Sequence, residues 1–436
     1  MSLHKYPSYR DSGVEWLGEV PHHWHVHRLK TQMALRTEKT ERRDNPVALE
    51  NIESWSGRFI ATGTEFEGEG IAFEGGDLLF GKLRPYLAKV YLTETSGEAV
   101  GDFHVLRPSN SLNARYAQYQ MLSRSFIASI DGSTFGSKMP RANWESLGRM
   151  PFVVPPREEQ ALVAAFLDDE IAKIDALIAK QEELVDLLTE KRRAVISQTV
   201  TRGLNPKAEM KDTSVTWLGL IPAHWQTGSL TRISERVVVG IAEAATHAYR
   251  RHGVPILRST NIRPGRLTGD ILYIDSEFAA ERGSKLISKG DLVTVRTGNA
   301  GVTAVVPSEL DQCQCFTMLI TTLRQDCDPA YYCYWMNSEA AVRYFRLEGW
   351  GTAQVNISVP ILKSLPVVIP PLREQAAIVA HLDAETAKVD KLIGAVERTT
   401  SLLRERRSAL IATAVTGHID LRDATPGLPA PEKLAA

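Results

Sequence analysis

The stretch EWLGEVPHHW at 15–24 returns as TWLGLIPAHW at 216–225, with six of ten positions identical. A second stretch, PPREEQALVAAFLDDEIAKIDALI at 155–178, returns as PPLREQAAIVAHLDAETAKVDKLI at 370–393, with fourteen of twenty-four identical. The offset is 201 residues for the first pair and 215 for the second, so the segments between them differ in length. Such a doubled pattern restricts the chain to two copies of one plan. Each copy has an aromatic box, a divergent globular segment and then a long segment similar to its counterpart.

The long segments read as helix. Residues 157–199 contain neither Gly nor Pro. Apolar side chains step by four and three through Leu167, Ile171, Ile174, Ile178, Val185, Leu188 and Val195, with Gln181 and Arg192 as polar members. The second copy places Leu382, Val389, Ile393, Val396, Leu403 and Leu410 in the same register, with Thr386, Thr400 and Arg407 polar. A sustained 3.5-residue spacing is a coiled-coil seam, and at 1.5 Å per residue each helix extends roughly 65 Å. The first helix leads from one globular segment to the other, and the second most simply runs back. The pair is therefore expected to be antiparallel, with a pseudo-twofold internal repeat.

The globular segments read as α+β. Short apolar runs such as GDLLFGKL and GDLVTVRT alternate with turn signals, and 114–130 and 329–347 read as helices. The expected divisions are 1–154, a first helix at 155–204, 205–369, a second helix at 370–418, and a Pro- and Ala-rich tail at 419–436 expected to be disordered. No basic leader precedes an apolar stretch and no run approaches a membrane span, which points to the cytoplasm and to no membrane partner.

Residues 76–82 fit the phosphate-loop spacing GxxxxGK through Gly76, Gly81 and Lys82. A working loop needs Ser or Thr after its Lys and a helix beginning there. Leu83 follows instead, then Arg84-Pro85, and the second copy replaces Gly81-Lys82 by Val295-Arg296. The stretch reads as a strand ending in a cation. No nucleophile or methyltransferase motif is present, so no catalytic residue is expected. Cys313, Cys315, Cys327 and Cys333 lack zinc spacing, and His22, His23, His25 and His27 have no carboxylate or thiol at ligand spacing. No metal site is expected.

The WLGx(V/I)PxHW box, the (V/I)xPPxxEQ helix start and the two helices alternating with two unlike globular segments resemble the specificity subunit of a Type I restriction-modification system, over nearly the whole chain. The resemblance implies two target recognition domains, each reading one half of a split sequence in double-stranded DNA. It implies that the helices set the unread spacer and dock methyltransferase subunits, two in number. Those partners would carry S-adenosylmethionine, and a restriction and motor subunit using ATP with Mg could join. The chain itself would hold no cofactor.

Net charge is −1, from 51 basic and 52 acidic residues. Residues 1–154 hold 18 of each sign and 205–369 hold 17 basic and 15 acidic groups. DNA contact must then come from clustered side chains rather than a general field. Lys82 and Arg84 stand with Arg296 and Asn299 of the second copy. Ser137, Lys138 and Arg141 stand with Trp350, Thr352, Gln354 and Asn356. Asn51 and Arg58 stand with Asn261 and Arg266, the repeated Asn-Ile pair also suiting a plain turn. Lys and Arg suit phosphate or guanine, and Asn and Gln suit adenine. The competing reading is a coiled-coil scaffold whose globular ends bind proteins.

Overall fold

The computed structural model describes residues 4–40, 44–63, 69–134, 139–215, 217–242, 246–282, 285–349 and 355–422. Helix and sheet are mixed throughout. We number the six described helices of eight or more residues: α1 (Ala114–Met121), α2 (Arg124–Gly132), α3 (Arg157–Arg202), α4 (Pro329–Met336), α5 (Glu339–Glu348) and α6 (Leu372–Val415). The chain forms two compact units, Met1–Glu182 with Glu397–Ala436, and Glu183–Val396. Neither long helix is a unit of its own, contrary to the expected divisions. Each unit contains one end of α3 and the opposite end of α6.

In the first unit, Asp175 pairs with Arg407 at 2.9 Å and Glu182 with Arg404 at 2.8 Å. The two helix segments therefore run in opposite directions. In the second unit, Arg192 pairs with Asp390 at 3.0 Å. Burial along the two helices follows the 3.5-residue spacing. Leu167, Ile171, Ile174, Leu382, Thr386, Val389, Val396 and Thr400 are buried. Ile178, Gln181, Val185, Leu188, Arg192, Val195, Ile393, Leu403, Arg407 and Leu410 are half-buried.

The unlike globular segments share a four-stranded antiparallel sheet. In the first unit its order is Met33–Arg36, Phe103–Pro108, Leu78–Gly81, Val90–Leu92, and in the second Ser234–Val239, Leu319–Leu323, Leu292–Thr294, Thr303–Val305. The repeated Gly-Asp starts the equivalent inner strand. Gly76 (φ +93°) and Gly290 (φ +87°) adopt the left-handed turn that glycine permits. Buried Asp77 and Asp291 then accept from the Glu74 and Ser288 amides, both at 2.9 Å. Their charges meet Arg107 at 2.8 Å and Arg236 at 3.2 Å. A buried carboxylate so partnered escapes most of its desolvation cost.

Each helix expected over 114–130 and 329–347 is instead two helices. Ser123 and Ser338 take extended backbone angles, and their hydroxyls donate to the Gln120 and Trp335 carbonyls at 2.7 and 2.6 Å. A serine that bonds its own preceding turn ends one helix and starts another. The tail begins later than expected, because Ile419 and Leu421 are buried in the first core and the Asp420 amide donates to the His4 carbonyl at 2.8 Å. Residues 423–436 lie outside the described residues.

The aromatic boxes and the helix starts meet. Trp24 Nε1 donates to Glu159 Oε2 at 2.8 Å while His23 Nε2 lies 2.7 Å from Glu159 Oε1. Trp225 and His224 repeat this on Glu374 at 2.9 and 2.7 Å. The neighbouring glutamine holds the first globular helix. Gln160 Oε1 accepts from the Asn113 amide at 2.7 Å and Gln375 Oε1 from the Asp328 amide at 2.8 Å. The opposite helix ends against the same tryptophan through Gly417 (φ +76°) and Gly203 (φ +72°). At Gly417 a side chain would overlap the ring of Pro21 and reach Trp24 Cζ3 at 2.8 Å. We expect Gly417→Ala to lower unfolding free energy by about 2–4 kcal/mol, the left-handed penalty plus the overlap. Gly13 (φ +70°) has open space around it, so Gly13→Ala should cost only about 1 kcal/mol. Denaturant titration of the two variants checks the difference.

Candidate nucleic-acid interface

Strand Leu78–Gly81 ends at Lys82, where the main chain leaves the sheet and turns. The Ala142 amide donates to the Lys82 carbonyl at 2.9 Å, Leu83 bridges Arg141, and the Arg84 amide donates to the Pro140 carbonyl at 2.8 Å. The loop ending at Arg141 is thereby tied to the strand-end cation by backbone alone. Arg141 also pairs with Asp102 at 2.9 Å. Behind them lies His104, whose ring nitrogen meets the Ala142 carbonyl at 3.0 Å. Burial pushes its pKa down to about 4, against the Ala142 hydrogen bond and helped by Lys82. The imidazole is then neutral at pH 7 and donates to that carbonyl.

Lys82 is half-buried. Burial lowers its pKa, Asp102 opposes that, and Arg141 adds to it. Arg84 is exposed at φ +51° and among the described residues forms no ion pair. Exposed Tyr86 and Met139 flank this cluster in sequence. Neither is a cation or an amide, and Tyr86 lies in the turn Pro85–Leu87.

The second unit builds the same cradle from other side chains. The Ile357 amide donates to the Arg296 carbonyl at 3.0 Å, and Thr297 bridges Asn356 as Leu83 bridges Arg141. Arg296 Nε donates to Asn356 Oδ1 at 3.1 Å. Asn299 is exposed in the turn between Gly298 (φ +81°) and Gly301 (φ +92°). Ser137, Lys138, Trp350, Thr352 and Gln354 lie outside the described residues.

The third pairing separates into two kinds of residue. Arg58 is exposed and bonds Glu53 at 3.0 Å, and Arg266 is exposed on the hairpin Ile262–Arg263 with Arg266–Leu267. Asn51 and Asn261 are buried, which removes them from the candidate DNA contacts. Asn51 Oδ1 accepts from Ala48 and its Nδ2 donates to the Ile60 carbonyl and Thr62 Oγ1. Asn261 Oδ1 accepts from Arg258 and its Nδ2 donates to the Thr268 and Asp270 carbonyls. Both amides are spent on turns.

The four cysteines are free and buried, and no metal-holding cluster occurs among the described residues. No described helix is long and apolar enough to cross a membrane. After Lys82 comes only the three-residue turn Pro85–Leu87, not the helix a phosphate loop requires.

No family model matches the chain. The EcoKI specificity subunit of Escherichia coli, a type I restriction enzyme component, is 23% identical over 325 residues, covering 72% of this chain and 68% of that one. The putative MjaX specificity subunit of Methanocaldococcus jannaschii is 22% identical over 436 residues, covering 93% and 96%. This chain is a homologue of type I specificity subunits. A solved structure concerned with complex assembly and conformational transition of the type I R-M system superposes with TM-score 0.73 at 18% identity, covering 92% of this chain and 99% of that one. At that identity the structural likeness speaks for this homologue's fold.

If the two cradles touch phosphate, Arg84→Ala and Arg296→Ala should each weaken DNA binding of the assembled protein roughly tenfold and lower the salt slope by about 1. Asn51→Ala should instead lower stability by about 1–3 kcal/mol, since its buried turn loses its partner, and leave the salt slope unchanged. Fluorescence anisotropy across a salt series, with denaturant titration alongside, checks both.

Proposed function

We propose that this chain is the non-catalytic DNA sequence-specificity subunit of a type I restriction-modification complex. Each globular region is a target recognition domain for one half of a bipartite site in double-stranded DNA. The antiparallel helix pair sets the unread gap and docks two methyltransferase subunits. The observation that carries this reading is the doubled cradle. One backbone arrangement presents Lys82 and Arg141 in the first unit and Arg296 with Asn356 in the second. Identical scaffolding under different side chains suits two readers of different half-sites. Arg supplies phosphate or guanine contacts, and Asn contacts adenine. A protein-binding scaffold gives no reason for cations to recur at that position.

The helix pair supports repeated docking. Leu177 and Leu392 occupy equivalent positions of the two helices, as do Leu187 and Leu402, and all four are exposed. Two like apolar surfaces suit two copies of one partner. Adenine methylation belongs to those partners with S-adenosylmethionine, and ATP with Mg to a motor subunit where one joins. The complex works in the cytoplasm, where its DNA lies.

Methylation-sensitive sequencing of DNA from cells expressing this chain with its methyltransferase, against cells lacking the chain, should give a chain-dependent bipartite N6-methyladenine motif with a fixed gap. Absence of any motif with an active, assembled partner would refute the specificity role. Inserting four residues at matched positions in both helices adds about 6 Å. DNA rises 3.4 Å per base pair, so the same sequencing should find the gap lengthened by roughly two.

A further inference from the structure

Two arginines occupy seam positions that are otherwise mostly apolar, and each meets a carboxylate of the facing helix. Arg407 Nε lies 2.9 Å from Asp175 Oδ1 in the first unit, and Arg192 Nε lies 3.0 Å from Asp390 Oδ1 in the second. Arg407 is only 13% exposed and Arg192 26%. By the 215-residue repeat, Arg192 corresponds to Arg407 and Asp175 to Asp390. Another interhelical pair among the described residues, Glu182 with Arg404, is well exposed, and its equivalents are Glu397 and Thr189. The pairs whose arginines are half-buried recur, their carboxylates Asp175 and Asp390 being 41% and 50% exposed, and the pair exposed on both sides does not.

We propose that Arg192–Asp390 and Arg407–Asp175 are positioning residues that fix the register of the helix pair. An apolar seam alone tolerates a slip of one helical turn, because every three or four residues another apolar side chain is available. The charged pairs do not tolerate that one-turn slip, although a slip of a full heptad would carry Arg407 to Glu182 or Asp168 and Arg192 to Glu397 or Asp383. Arg192 stands seventeen residues after Asp175, and Arg407 seventeen after Asp390. A three-residue slip therefore carries Arg407 from Asp175 to Ile178 and, in the same movement, Arg192 from Asp390 to Ile393. A four-residue slip the other way places them beside Ile171 and Thr386. In either case two guanidinium groups stay at the seam and lose their carboxylates, which is the costly way to treat a half-buried charge. A single polar or charged seam position is a well-attested register device in coiled coils. On the reading that the helices space two DNA half-sites, this register is what fixes the gap.

Spin labels test the register directly. The native cysteines are buried, so cysteines introduced at exposed Lys173 and Ser401, both in the first unit and neither among the leucines assigned to docking, take the labels selectively. In the full chain assembled with methyltransferase, reversing both arginines (Arg192→Asp with Arg407→Asp) should displace or broaden the label distance on the scale of the ~5 Å helical pitch. It should also lower the unfolding temperature and change or abolish the methylated gap. Adding Asp175→Arg and Asp390→Arg, which restores both pairs with their charges exchanged, should return all three readings to the wild-type values. Should the reversed chain fail to fold, Arg192→Met with Arg407→Met keeps the seam apolar and should fold with a broadened distance distribution. A single wild-type distance in the reversed or methionine chain, or an exchanged chain no better than the reversed one, overturns the assignment. A wild-type chain that directs no methylation counts against the specificity reading alone, because the label distances still decide the register.

Discussion

A single carboxylate at the start of each long helix carries an unusual share of the architecture. Glu159 gathers the indole of Trp24, the ring of His23 and the hydroxyl of Tyr6. Glu374 gathers Trp225 and His224 in the same manner. Glu159, with its side chain only 11% exposed, keeps its charge through these several donors, while Glu374 at 42% also meets solvent. Next in sequence, Gln160 and Gln375 grip the caps of α1 and α4. Two adjacent side chains thus join three parts of a unit: aromatic box, globular segment and helix. The opposite helix reaches the same place through glycine, which can approach the tryptophan where a side chain cannot.

Aromatic hydroxyls complete the joint. Tyr116 donates to the Val415 carbonyl at 3.2 Å and Tyr331 to the Val200 carbonyl at 2.9 Å. The end of a helix leaves carbonyls without intrahelical partners, so these tyrosines satisfy groups that burial would otherwise strand. Each unit is consequently finished by a helix terminus that arrives from far along the chain, and its core includes that terminus. Ile411, Ala414 and Val415 belong to the first core, and Ile196 and Val200 to the second.

Much of this was legible in the sequence because it repeats. The doubled boxes and the 3.5-residue seam reveal the plan, and the shared Gly-Asp strand start can be matched by eye. The role of the EQ dipeptide could not be read. Glu159 and its tryptophan are 135 residues apart, and nothing local announces that a helix-start acid will bond an indole. The serines at 123 and 338 were invisible for the opposite reason, since each interrupts an otherwise continuous apolar period with a local hydrogen bond. Asn51 and Asn261 show how residue type misleads. An amide that suits adenine also suits a tight turn, and burial chose the turn. The strand-end cations were found as isolated residues, while their union with Arg141 and Asn356 depends on strand pairing across long loops, which spacing does not encode.

The backbone tie at Lys82 and Arg296 has an evolutionary consequence. The bonds from Ala142 and Ile357 run between main-chain atoms, so the cradle keeps its shape whatever side chains it carries. Leu83 beside Arg141 in one unit and Thr297 beside Asn356 in the other already show that tolerance. Outward-facing positions there can drift without loosening the fold beneath them. Side chains there can accordingly be exchanged while the main-chain bonds that hold the two segments together stay as they are.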